Sequence, residues 1–234
     1  MTKKWIEIDL TLECNWCCPC CVRLCNLKQK NPKSIMSLND ITHICEEIND
    51  VGCKKFEHIT LIGGEPTINP NFLDICLYIK NTVDTKIEVS SNSSNNQKYK
   101  KILSDNNIKF YTFGNKDTPQ KKLESHFNFY LSPTENSQIL RDDCGLNCGI
   151  NISKVDNEIL YSFCGNQKYL SILLNKKELC KKCLNDIMNC DCKNDPLTMS
   201  VCKHCQFMAK DRIRWKDNKN ISNCFKDGIK NYTN

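Results

Sequence analysis

Residues 12–25 read LECNWCCPCCVRLC, six cysteines in fourteen positions. The stretch leading into them, residues 5–12, alternates Ile6, Ile8, Leu10 and Leu12 with polar side chains, the period of a half-buried strand. A strand therefore delivers the chain into a loop crowded with thiols. Spacing alone leaves two ligand sets open within that loop. Cys14, Cys18 and Cys21 are spaced C-x3-C-x2-C, and Cys14, Cys17 and Cys20 form a run of C-x2-C steps.

Downstream of the loop, Ser37 and Asp40 have the spacing of a capping box, and Ile41, Ile44, Cys45 and Ile48 then share one helical face. FEHITLI (56–62) reads as a second strand, ended by GGEP. NPNFLDICLYIKNT (69–82) reads as a helix with Pro70 in its first turn. KIEVS (86–90) is a third strand, residues 97–105 a third helix, IKFYTF (108–113) a fourth strand and FNFYL (127–131) a fifth. Strands alternating with helices predict an α/β fold with a parallel sheet, whose sites lie at the carboxyl ends of the strands. The first cysteine loop and GGEP both fall at such ends.

The chain has 234 residues, 40% of them hydrophobic, and a formal charge of +6. That length accommodates one full core and a small appendage. No apolar run approaches the roughly 20 residues of a membrane-spanning helix, so no membrane partner is expected. The start, MTKKWIEIDLTLEC, alternates where a signal peptide needs continuous apolar sequence, which points to the cytoplasm. In that reducing compartment, an odd count of nineteen cysteines concentrated at residues 14–25 and 144–205 fits zinc or iron–sulfur ligation better than disulfides. Cys45, Cys53 and Cys76 stand between the two blocks. The lysines are scattered without an Arg-rich or aromatic stripe, so nucleic acid is not the expected partner. The histidines, His43, His58, His126 and His204, lack paired ligand spacing.

With Asn15 after the first cysteine and Pro19 after Cys18, CNWCCPCC resembles the CNxxCPxC loop of the radical S-adenosylmethionine (radical SAM) superfamily, which follows the first strand of a partial (β/α) TIM-like barrel. The resemblance implies that Cys14, Cys18 and Cys21 bind a [4Fe–4S] cluster, leaving Cys17, Cys20 and Cys25 as non-ligands. Three thiolates leave one iron open, and in that family S-adenosylmethionine is chelated there and reductively cleaved to a 5′-deoxyadenosyl radical. Gly63, Gly64, Glu65 and Pro66 match the family's GGEP motif, which holds the methionine amino group. Glycines admit close backbone approach, and a carboxylate suits an ammonium. Ser91 and Asn92, in VSSNSS, resemble a looser cofactor-contacting segment after the third strand. One departure is clear: Cys20 stands where the family usually has an aromatic residue beside adenine. Phe110 or Tyr111 are the candidate substitutes, and Trp16 reads as a packing residue.

Character changes near residue 140, giving a core at 1–140 and a Cys-rich region at 141–234. In CGINISKVDNEILYSFC (148–164), two short apolar runs joined by VDNE read as a hairpin, with CKHC following at 202–205. This resembles the twitch or SPASM appendage of some radical enzymes and implies an auxiliary [4Fe–4S] cluster on Cys148, Cys164, Cys202 and Cys205, although the family's usual glycine before the second hairpin cysteine is absent. Cys144 competes with Cys148, and Cys180, Cys183, Cys190 and Cys192 form a further group. Zinc is the alternative occupant.

The resemblance thus implies an enzyme that removes hydrogen from a carbohydrate-like or peptide substrate, with a reductant such as flavodoxin or ferredoxin. A glycyl-radical activase and a noncatalytic zinc or iron–sulfur interaction module are the competing functions.

Overall fold

Among the described residues, β1 (Lys4–Asp9) lies inside a six-stranded sheet, with β2 (Phe56–Ile62) hydrogen-bonded on one side and β5 (Ile150–Val155) on the other. The structure is a computed structural model that describes residues 4–16, 23, 25, 32–92, 96–112, 149–192 and 194–202. Beyond β2 come β3 (Lys86–Ser91) and β4 (Lys109–Thr112), and beyond β5 comes β6 (Glu158–Ser162), so the order is β4-β3-β2-β1-β5-β6. Every neighbouring pair is parallel except the β5–β6 hairpin. The expected strand at 127–131 and the change of character at residue 140 lie outside the described residues.

Register explains why one face is apolar. Ile6 and Ile8 stand opposite Ile59 and Leu61 of β2 and opposite Ile150 and Ile152 of β5, and Ile87 and Val89 of β3 continue the same face. All are buried beneath α1 (Leu38–Val51), α2 (Phe72–Thr82) and α3 (Asn96–Asp105), joined by Leu184 and Ile187 of α5 (Leu184–Met188). The alternate positions present Glu7, Asp9, Thr60, Glu88, Asn151 and Ser153 to the other face. Over β1, β5 and β6 that polar face is covered by α4 (Gly165–Leu173) and α6 (Pro196–Val201), whose Tyr169, Leu170, Leu173, Leu197 and Val201 pack with Leu12, Val155 and Leu160.

Local signals produce these elements. Ser37 accepts from the Asp40 backbone at 3.2 Å while the Asp40 carboxylate accepts from the Ser37 backbone at 2.7 Å, the capping box read from the sequence, a cap of about 1 kcal/mol. Ile41, Ile44, Cys45 and Ile48 are buried on its face. α2 starts later than expected: Asn71 is its N-cap, so Pro70 lies ahead of the helix and outside its first turn. In the hairpin, Asp156 and Asn157 take φ of 51° and 69°, the left-handed pair that a two-residue turn requires. These two side chains tolerate that region, which explains how VDNE closes the turn without glycine. No described helix is long and apolar enough to cross a membrane.

Candidate functional site at three neighbouring strand ends

The pairing of β1 with β2 continues past both strands. Leu10 donates to the Ile62 carbonyl, Gly64 to the Thr11 carbonyl and Glu65 to the Glu13 carbonyl, each at 2.8 Å. This extension lays GGEP directly along the start of the cysteine loop. Its glycines are needed for that contact. A Cβ on Gly63, whose φ is +139°, would lie 2.3 Å from the Thr11 oxygen. One on Gly64 would lie 2.1 Å from the Glu13 oxygen and 3.1 Å from the Cys14 Cβ. Pro66 then opens a short 3-10 turn, and Asn69 closes it by donating to the carbonyls of Leu10 and Met36, both at 2.8 Å.

Glu65 is fully buried with four donors on its carboxylate. Oε1 accepts from the Thr67 backbone at 3.1 Å, the Thr67 hydroxyl at 2.6 Å and the Ser91 hydroxyl at 2.8 Å; Oε2 accepts from the Asn92 backbone at 2.7 Å. The end of β3 is thereby fastened to the end of β2. Asn92 reaches back to the cysteine loop, its Nδ2 lying 2.7 Å from Asn15 Oδ1 and 3.7 Å from Cys14 Sγ. The Trp16 backbone N–H is 3.4 Å from the same sulfur. Cys14, Gly63, Gly64, Glu65, Pro66, Ser91 and Asn92 are thus brought together. Donors aimed at the Cys14 sulfur suit a thiolate ligand, since they stabilise its charge. Cys18 and Cys21, with Cys17 and Cys20, lie outside the described residues. Trp16 is half-buried, Phe110 packs against the core and Tyr111 is exposed on the polar face.

A second polar assembly was not foreseen. Asp9, the last residue of β1, is fully buried on the polar face. Its carboxylate pairs with Lys168 and accepts from Ser153, from Tyr169 at 2.7 Å, from Asn151 at 3.3 Å and from Arg23 Nε at 3.1 Å. Arg23, two residues along the chain from Cys21, also pairs with Glu7 at 3.3 Å. Burial by itself pushes the Asp9 carboxyl up, but Lys168 and Arg23 overturn that effect and hold it well below the usual carboxylate range. The sequence did carry one signal: Glu7 and Asp9 occupy alternate positions of a strand that proves to be interior to the sheet. An acid buried there, as Asp9 is, requires cationic partners.

In the second block, Cys164 is the N-cap of α4 and Cys202 follows α6. Gln167 ties Phe163, the residue before Cys164, to Cys202: Oε1 accepts from the Phe163 backbone at 3.1 Å, and Nε2 lies 2.7 Å from Thr198 Oγ1 and 3.3 Å from Cys202 Sγ. Cys192 Sγ is 3.9 Å from Thr198 Oγ1 and Cys190 Sγ 3.5 Å from Asp195 Oδ1. Cys180 is buried with its sulfur 3.3 Å from Ser171 Oγ, and Cys183 is the N-cap of α5. Among the described residues no three Cys, His, Asp or Glu side chains form a metal-binding group; Cys144, Cys148 and Cys205 lie outside them. Cys45 and Cys76 are core residues, and burial pushes the Cys45 thiol up to about 12. His43 sits 3.9 Å from Glu47 on the surface of α1.

No protein-family model matches the chain. A stretch of 77 residues, 33% of the chain, is 31% identical to GTP 3′,8-cyclase of Haemophilus influenzae strain PittEE and 30% identical to that of strain 86-028NP. The match spans 22% of the length of these relatives. GTP 3′,8-cyclase is a radical SAM enzyme, and this distant relationship supports the radical SAM class for the chain, with the [4Fe–4S] cluster and S-adenosylmethionine that the class implies.

Proposed function

We propose that the chain is a radical SAM enzyme with a partial (β/α) barrel core that oxidises or otherwise modifies a C–H bond of a carbohydrate-like or peptide substrate. The observation that carries this reading is the convergence of Cys14, Gly63 to Pro66, and Ser91 with Asn92 at the ends of β1, β2 and β3. Cys14, Cys18 and Cys21 would hold the [4Fe–4S] cluster, and Glu65, Ser91 and Asn92 would face the methionine end of S-adenosylmethionine. Bound there, and with one electron from a reductant such as flavodoxin or ferredoxin, the cluster and S-adenosylmethionine would supply the hydrogen-abstracting chemistry of a 5′-deoxyadenosyl radical.

The protein's own contribution is preorganisation. Gly63 and Gly64 keep the end of β2 flush against the cysteine loop, and four donors fix the Glu65 carboxylate. In the second block, Cys148, Cys164, Cys202 and Cys205 would hold an auxiliary [4Fe–4S] cluster. Four thiolates would saturate its irons and leave no corner open to substrate, and such a closed cluster would supply an acceptor for the electron that a dehydrogenation must pass on. Zinc in that cage could brace the fold but could not take the electron.

The test is reductive cleavage by anaerobically reconstituted protein. Dithionite-reduced protein supplied with S-adenosylmethionine is expected to yield 5′-deoxyadenosine and methionine in equal amounts, each turnover taking one electron from dithionite and one hydrogen atom from substrate, buffer or protein. Cys18→Ala and Cys21→Ala abolish this, and Cys17→Ala does not. A folded Cys17→Ala variant as inactive as Cys18→Ala overturns the ligand set. The Cys14/Cys18/Cys21 triple-Ala protein is expected to retain about four irons; zinc with no iron overturns the auxiliary cluster.

A further inference from the structure

We propose that Asn92 tunes the reduction potential of the cluster held by Cys14, an inference that rests on reading Cys14 as a cluster ligand. The Asn92 Nδ2 lies 3.7 Å from Cys14 Sγ, and its orientation is fixed from two directions. The Asn92 backbone N–H donates to the buried Glu65 carboxylate at 2.7 Å, and the same Nδ2 donates to Asn15 Oδ1 at 2.7 Å. The Trp16 backbone N–H, 3.4 Å from the sulfur, adds a second donor that no side-chain substitution removes.

The effect of Asn92 on the cluster is electrostatic. Reduction places one electron from an external reductant on the cluster and its thiolates, and no bond to Asn92 forms or breaks. An N–H dipole pointing at a ligand sulfur stabilises the reduced, more negative state, and such hydrogen bonds are among the levers that set iron–sulfur potentials. Asn92 is the adjustable donor because its amide is a side chain held in place by Glu65 and Asn15. In setting the potential it acts through Cys14, as a positioning residue, apart from any contact it makes with S-adenosylmethionine.

The experiment is an EPR-monitored redox titration of anaerobically reconstituted protein without S-adenosylmethionine, so that contacts of Asn92 to that cofactor cannot contribute. Asn92→Ala is expected to disfavour the reduced cluster about tenfold, a midpoint lowered by ~59 mV for one electron. Asn92→Asp, which replaces the donor with a negative charge, is expected to shift it further in the same direction. Asn15→Ala, which frees the amide while leaving it present, is expected to give a smaller shift of the same sign and serves as the readout if position 92 does not tolerate change. Fully iron-loaded variants at the parent's potential would show that Asn92 only braces the end of β3, and would overturn the inference alone. A parent protein that assembles no four-iron cluster overturns both the functional reading and this inference.

Discussion

Asp9 and Lys168, 159 positions apart in sequence, form an ion pair in which both side chains are fully buried. Asp9 ends the strand that leads into the first cysteine loop. Lys168 lies one turn into α4, its backbone N–H donating to the carbonyl of Cys164 at 3.5 Å. The pair therefore joins the two cysteine blocks through the middle of the sheet, with Arg23 attached to the same carboxylate.

This pair makes stability sensitive to acid. The folded-state pKa of Asp9 is depressed below its unfolded value of about 3.9. Its contribution is complete above that value and is lost as pH falls below it, because the unfolded chain then binds the proton more readily. Asp9→Asn should destabilise the protein by about 3 kcal/mol at pH 7, since it leaves buried cations without their counter-charge. It should also lose less stability than the parent between pH 6 and pH 3. Urea unfolding at the two pH values checks both; an unchanged acid dependence would show that Asp9 is not the group responsible.

Gly64→Ala places a methyl where the Glu13 carbonyl already stands, 2.1 Å away, so the GGEP segment and the cysteine loop must separate. The expected outcome is a loss of about 1–3 kcal/mol of stability together with weaker iron retention. Gly52→Ala is the control. Its Cβ meets nothing within 4 Å although φ is +104°, so it carries backbone strain without the clash and should keep its iron. Equal iron retention in the two variants would contradict the proposed role of the close approach.

Glu65→Gln turns an acceptor into a donor against four protein donors. The expected loss is about 1.5–3 kcal/mol, shared between fold stability and affinity for S-adenosylmethionine, with cluster assembly less affected. Equilibrium binding to reconstituted protein checks this; equal affinity in variant and parent would remove Glu65 from the cofactor site.

What was legible in the sequence was local. The alternation of Ile6, Ile8 and Leu10, the Ser37/Asp40 box and the Asp156–Asn157 turn each depend on neighbours a few residues away, and each appears as read. GGEP was legible as a motif, but that its glycines lie against Thr11 and Glu13 depends on β1 and β2 being paired in register. The parallel pairing of β5 with β1 had no sequence signal, because strand partners are chosen by packing and not by a residue code. Lys168 was invisible for the same reason: its helix lies over the polar face only once β5 is in place. Asn15 and Asn92 were each read as parts of separate motifs, and only the strand ends bring them into contact.

The EPR spectrum of the reduced, reconstituted protein before and after addition of S-adenosylmethionine decides whether Cys14 holds a cofactor-binding cluster. If Cys14 is one of three thiolates that leave an iron open beside GGEP, the cofactor must perturb the [4Fe–4S] signal. A change of g-values is expected in the parent protein, with the signal of this cluster lost in Cys14→Ala. A spectrum that S-adenosylmethionine leaves unaltered in fully iron-loaded parent, or a Cys14→Ala variant that responds as the parent does, would contradict it.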